Sequence, residues 1–150
     1  MMFEFDEASA RLSLRGSLTA DSNFAPIVPL LTGRRVKVDL SRLVRISSEG
    51  VLAWLDFVRD LPADTHLVLE RCAVGFVERM NLLPSLTRGL EVGSVLAPHQ
   101  CAACGTTRDD ELPVGGILED ALPCPAPCPR CGGAMALDAL TASYFAFARA

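Results

Sequence analysis

The feature that most narrows what this chain can fold into is a pair of short cysteine units near its C-terminus. Cys101-Ala102-Ala103-Cys104-Gly105 and Cys128-Pro129-Arg130-Cys131-Gly132 repeat one pattern, with 23 residues (105–127) between them. Two cysteines three positions apart can grip one tetrahedral metal ion, and the glycine that follows lets the backbone turn tightly around it. Two such units supply four thiolates, the donor set of a closed structural zinc site. The expected ligands are Cys101, Cys104, Cys128 and Cys131, with Zn2+ as a structural cofactor. Cys124 is a competitor, but Cys124-x3-Cys128 lacks the tight spacing and the trailing glycine; His99 is a second candidate replacement.

The flanks fit this reading. Ala97-Pro98-His99-Gln100 leads into the first unit, and Gly133-Ala134-Met135-Ala136-Leu137 leaves the second as an expected strand. The interval between the units is slightly longer than the usual ~15–20 residues, which a longer hairpin absorbs. As a whole, residues 97–150 resemble a zinc ribbon. Four thiolates fill the coordination shell and leave no open position for water, so the set argues against catalysis at the metal. A redox reading of either unit alone loses to the paired motif. The module is too small for a core of its own, and metal binding would be folding energy for it.

Residues 1–96 read differently. Phe3-Glu4-Phe5-Asp6 and Arg11-Leu12-Ser13-Leu14-Arg15 alternate apolar and polar positions, as the strands of a hairpin do, and Gly16 ends the second run. Phe24, Ile27, Val28 and Leu31 follow at helical spacing, shortened by Pro26 and Pro29. Arg35–Leu40 reads as a strand, Ser41–Ile46 as a short loop, and about Ser48 to Arg59 as a helix with Val51, Leu52, Leu55 and Val58 along one stripe. Trp54 reads as a packing aromatic and His66, at the start of the strand His66–Glu70, as a surface residue. A third helix is expected from about Ala73 to Asn81, with Cys72 a small buried residue, and Leu90–Leu96 is the candidate last strand.

This order, β-β-α-β-α-β-α-β, predicts an α/β sheet with crossover helices. Together with two short stretches it resembles the STAS domain, named for sulphate transporters and anti-sigma factor antagonists. The residues are Val38-Asp39-Leu40-Ser41 and, after an apolar link, Ile46-Ser47-Ser48-Glu49-Gly50-Val51. The family pattern there is a strand ending in Asp-Leu-Ser, then Ile-Asp-Ser-Ser-Gly before a helix. The resemblance implies a mixed β-sheet with packed helices over residues 1–96, followed by the ribbon over 97–150. It also implies a bacterial signalling protein whose serine is phosphorylated by a kinase-like anti-sigma factor.

Aligned on Gly50, that serine is Ser48, and Ser47 is the lesser candidate. The sequence departs on both sides, with Ser47 where the family has aspartate and Glu49 where it has the second serine. A phosphate on Ser48 would be favoured by the helix N-terminus and opposed by the Glu49 carboxylate. The simpler role for Ser47 or Ser48 is to cap the helix, worth about 1 kcal/mol.

Composition bounds the remaining classes. The chain has 150 residues and a net charge of −4; residues 97–150 carry 3 basic and 6 acidic groups, a net of −3. A nucleic-acid reader should show a basic face, and the C-terminal module shows the reverse. No apolar run approaches the ~18 residues that cross a bilayer, and Met1–Glu7 lacks the features of a secretory leader. A cytoplasmic location is the expectation, with the six cysteines metal-bound or reduced.

The functional expectation is a non-enzymatic protein-interaction or signalling module, with homo-oligomers possible. The alternatives are a zinc-ribbon nucleic-acid binder and a small-ligand or nucleotide sensor. The aromatic tail, with Tyr144, Phe145 and Phe147, is expected to dock on the chain's own surface, a partner groove being the alternative.

Overall fold

Alternation in the first twenty residues produces a hairpin. In the computed structural model, which describes residues 1–149, strand β1 (Met2–Asp6) pairs antiparallel with β2 (Arg11–Leu18). Parallel strands β3 (Arg35–Ile46), β4 (His66–Glu70) and β5 (Glu91–Val92) complete a five-stranded sheet in the order β1-β2-β3-β4-β5. The crossovers carry helices α1 (Val28–Leu31), α2 (Ser48–Arg59) and α3 (Val74–Leu82). A 3-10 turn, Pro84–Thr87, follows α3.

Strand periodicity sends Leu12, Leu14, Val36, Val38, Leu40, Leu67 and Leu69 into one core. There they meet Ile27 and Leu31 of the first crossover, Trp54 and Phe57 of α2, and Phe76, Val77 and Met80 of α3. Trp54 is fully buried, sits edge-on to Phe24, Phe57 and Phe76, and donates its indole N–H to the Leu86 carbonyl at 2.9 Å. The other sheet face is polar and laced with ion pairs. Glu70 accepts from Arg11 at 2.6 Å and Lys37 at 2.8 Å.

Two sequence expectations are corrected. Gly16 does not end β2; it lies in the strand at φ 90°, beside a register shift against β3, and pairing continues to Leu18. Residues Ser41–Ile46 are not a loop but the second half of β3, because the lengthened β2 supplies a partner out to Ile46. A second shift, between Ser13 and Arg15, restores the inward direction at Leu43. Helix α2 begins and ends where the apolar stripe predicted.

The expected last strand divides in two. Glu91–Val92 closes the first sheet, while β6 (Ser94–Cys101) opens a second sheet with β7 (Thr107–Pro113) and β8 (Met135–Leu137), in the order β7-β6-β8. One continuous strand therefore runs across position 96 from the core to the first cysteine unit. Cys72 fastens its start, donating its N–H to the Ser94 carbonyl and accepting from Leu96 N–H at 2.9 Å. Val95, Ala97 and Leu112 join the same apolar core as the five-stranded sheet.

The segment between the cysteine units, expected as a loop or hairpin, forms β7 and a short helix, α4 (Val114–Leu118). The aromatic tail docks on the chain itself. Helix α5 (Thr141–Tyr144) buries Tyr144 and positions Phe145, and the Tyr144 hydroxyl donates to the Leu96 carbonyl at 2.6 Å. The Asn81 amide clamps this tail from α3, donating to the Tyr144 carbonyl and accepting from Phe147 N–H. No helix among the described residues is long and apolar enough to cross a membrane.

Close approach dictates Gly50. A Cβ built there would lie 2.0 Å from the Leu18 carbonyl oxygen and 2.8 Å from Thr19 N, whereas one on Gly75 would meet nothing within 4 Å. Gly50→Ala should therefore destabilise the chain by about 3 kcal/mol, and Gly75→Ala should stabilise it by about 0.5 kcal/mol; urea denaturation measures both.

Burial, reinforced by the Asp39 carboxylate, pushes the Cys72 thiol from its ordinary value of 9.0 up to about 12. The unfolded thiol ionises first, so the native state holds an extra proton between those values. Stability should be unaffected below pH 9 and fall as pH rises through that window, and Cys72→Ala should flatten the decline.

Candidate functional site

The two cysteine units are built alike. In each, the N–H of the glycine closes onto the carbonyl of the first cysteine, Gly105 to Cys101 at 3.0 Å and Gly132 to Cys128 at 2.9 Å. Both glycines take the left-handed conformation, φ 75° and 73°, which favours glycine at those positions. Cys101 ends β6, and Cys128 is positioned by its N–H to the Gly133 carbonyl at 2.9 Å. The two units meet where Ala102 N–H donates to the Ala134 carbonyl at 3.2 Å and Cys101 pairs with Met135 of β8, and among the described residues the apolar cluster at this end is only Cys101, Cys128 and Met135.

The ligand atoms of Cys101, Cys104, Cys128 and Cys131 all lie within 4.8 Å of one another, and they are the only such group of three or more potential ligands among the described residues. Cys101 Sγ is 3.5 Å from Cys131 Sγ, and Cys104 Sγ is 3.6 Å from Cys128 Sγ. A tetrahedron of about 2.3 Å metal–sulfur bonds has edges of about 3.8 Å, so these spacings fit four thiolates around one ion. The four residues named from spacing are brought together, and the donor set fits a thiophilic metal such as zinc.

The electrostatics explain why a cation belongs there. Burial disfavours charge on Cys128, but N–H groups of Cys131 and Arg130 and the Cys104 and Cys101 thiols outweigh it and draw its pKa down to about 6. Cys104 is also lowered, first by the Thr106 hydroxyl 3.0 Å away. Cys131 moves the other way, to about 12: the Gly133 N–H favours its charge, but the Cys101 and Cys104 thiols together prevail. Four neighbouring thiols cannot all ionise unaided, and a bound cation removes that conflict.

The two competitors stand apart. His99 is buried in β6 with Nδ1 2.9 Å from the Ala97 carbonyl oxygen, and Cys124 is exposed; neither belongs to the four-sulfur group.

Two supporting residues carry no sequence signal of their own. Gly133 lets the units close, since a Cβ on it would meet Cys101 Sγ at 3.0 Å and Cys131 Sγ at 3.2 Å. Arg108 grips Asp110 through two nitrogens, at 2.5 and 2.9 Å, and donates to the Ala126 and Pro127 carbonyls, tying β7 to the segment that enters the second unit. Neither spacing nor residue type distinguishes Arg108 from other surface arginines.

The serines separate in role. Ser47 is the cap of α2, its hydroxyl accepting from Gly50 N–H at 3.1 Å. Ser48 is the first helical residue and is exposed. Glu49 has its pKa lowered, first by its own backbone N–H and then by the Ser47 hydroxyl. No family model matches the chain, and no curated protein or solved structure is similar enough to count as a relative.

Replacing Cys101 or Cys131 by serine should remove the bound metal, whereas Cys124→Ser should leave one ion per chain; native mass spectrometry reads the stoichiometry. Protons compete for the same thiolates. Metal affinity should therefore fall steadily as pH drops and fall most steeply below about 6, where Cys128 also takes a proton.

Proposed function

We propose that this chain is a non-enzymatic protein-interaction module, a STAS-like domain of bacterial signalling type extended by a structural zinc ribbon. The observation that carries the reading is an exposed apolar groove of about 270 Å³ between the end of β3 and α3, lined by Leu43, Val44, Ile46, Gly75 and Leu82. Val44 is 85% exposed and Leu82 77%. Exposed residues of this size, grouped and rimmed by charge, mark partner surfaces. Arg79 bridges the groove by donating to the Ile46 carbonyl at 3.2 Å, and Ser48 follows Ile46 by two residues.

Ser48 is free because Ser47 does the capping. A phosphate there would set new negative charge beside the groove, whose rim carries Arg45, Arg79 and Glu78. This supports a partner that distinguishes modified from unmodified chain, a kinase-like anti-sigma factor being the partner that the resemblance implies. Zinc is the metal that best suits four thiolates and a purely structural task. The ribbon's role is then to hold β6, β7 and the tail against the domain. Its strand β7 presents Asp109, Asp110 and Glu111, which speaks against nucleic acid as the partner. Such a module would act in the cytoplasm.

The test is affinity capture from the native host with wild type and a Val44→Asp/Leu82→Asp variant, alongside Ser48→Asp. The groove variant should lose its partner by tenfold or more while keeping its metal and melting temperature, and Ser48→Asp should change which protein is retained. Identical capture by all three would refute the reading.

A further inference from the structure

His99 is left over by the metal centre, and its surroundings give it a use. It lies on the central strand of the second sheet, paired with Arg108 of β7 and Leu137 of β8, and its side chain is 5% exposed. Nδ1 is 2.9 Å from the Ala97 carbonyl oxygen and 3.5 Å from Asp110 Oδ2. A carbonyl only accepts, so Nδ1 carries a proton, and in the Nδ1–H tautomer Nε2 presents a lone pair.

No described residue hydrogen-bonds to Nε2. Among the described residues no fully buried side-chain nitrogen or oxygen lacks a partner, so Nε2 opens onto solvent-accessible space. The space beside the His99 ring is a cleft. His99 lines two adjoining hollows, of about 210 and 290 Å³, which also share Leu112, Pro123 and Pro125.

The cleft has the character of a ligand site. Leu122, Met135 and Leu137 make its larger part apolar, with Thr141 the one other polar side chain beside His99, and the smaller part carries Asp110 and Glu111 along with Cys124. The prolines stiffen the 122–126 wall, and Arg108 anchors that wall through the Ala126 carbonyl at 3.0 Å. An apolar hollow of about 150 Å³ already admits benzene, and a buried acceptor on the wall of the apolar larger hollow selects for a donor on an apolar body.

We propose that this cleft binds a small apolar molecule carrying one hydroxyl or N–H donor, of the size of phenol, which donates to His99 Nε2. The site is separate from the Val44–Leu82 groove and does not rest on the interaction reading.

The experiment uses the full, metal-loaded chain and phenol as probe. Isotope-labelled histidine reports on His99. Alkylation of Cys124 by iodoacetamide, followed by peptide mass, reports on the cleft; Cys72 is fully buried and the other four thiols hold metal. Phenol should shift the His99 ring nitrogens saturably and slow Cys124 alkylation roughly tenfold at about ten times its dissociation constant. Toluene, which has no donor, should bind several-fold more weakly.

Leu122→Trp should fill the cleft and remove both responses with metal content unchanged. His99→Phe, of similar volume, should erase the preference for phenol over toluene. The proposal is overturned by an absence of saturable shift, by Cys124 protection without a His99 shift, by equal binding of toluene, or by responses that survive both substitutions.

Discussion

Strand β6 is the constraint on which the rest depends. Its first half is core: Val95 and Ala97 are fully buried, and the hydrogen bonds with Cys72 splice it onto the end of the five-stranded sheet. Its last residue is Cys101. A single extended backbone therefore transmits position from a hydrophobic core to a four-cysteine cluster that has almost no core of its own. The strand is central in its sheet, so β7 and β8 take their places from it, and they deliver the neighbourhoods of Cys104 and Cys128. The tail reinforces the splice, because Tyr144 bonds the Leu96 carbonyl while Asn81 of α3 holds the tail's own backbone.

This arrangement divides the energetic labour. The first sheet is held by apolar burial around Trp54, where each fully buried large side chain contributes roughly 1.5–3 kcal/mol. The cysteine end is held by backbone hydrogen bonds and charge. Thiols drawn in opposite directions, Cys128 down to about 6 and Cys131 up to about 12, describe a cluster that resists full ionisation until a cation joins it. A metal bound at that end would therefore contribute folding energy.

What was legible in the sequence follows the same division. Local, periodic signals read correctly. The hairpin, helix α2 and strand β4 come from alternation or a helical stripe, and the clustering of four cysteines comes from their spacing. Signals that depend on a neighbour did not read. Ser41–Ile46 looks like a loop because its alternation is broken by a register shift, and only the pairing with β2 makes it strand. Leu90–Leu96 looks like one strand, and Gly93 divides it between two sheets by donating to Leu69 and accepting from Val114. Arg108, Gly133 and the exposure of His99 Nε2 arise from residues far apart in sequence. Residue type alone could not assign the cap between Ser47 and Ser48; the geometry gives it to Ser47.

The central claim, which rests on the proposed zinc, is that four thiolates close around one ion and join the two cysteine units at the end of β6. X-ray absorption at the zinc edge of the protein as purified tests it most directly. The account predicts a single shell of about four sulfur atoms at about 2.3 Å. A shell containing nitrogen or oxygen, a different metal, or a chain purified without metal would contradict it.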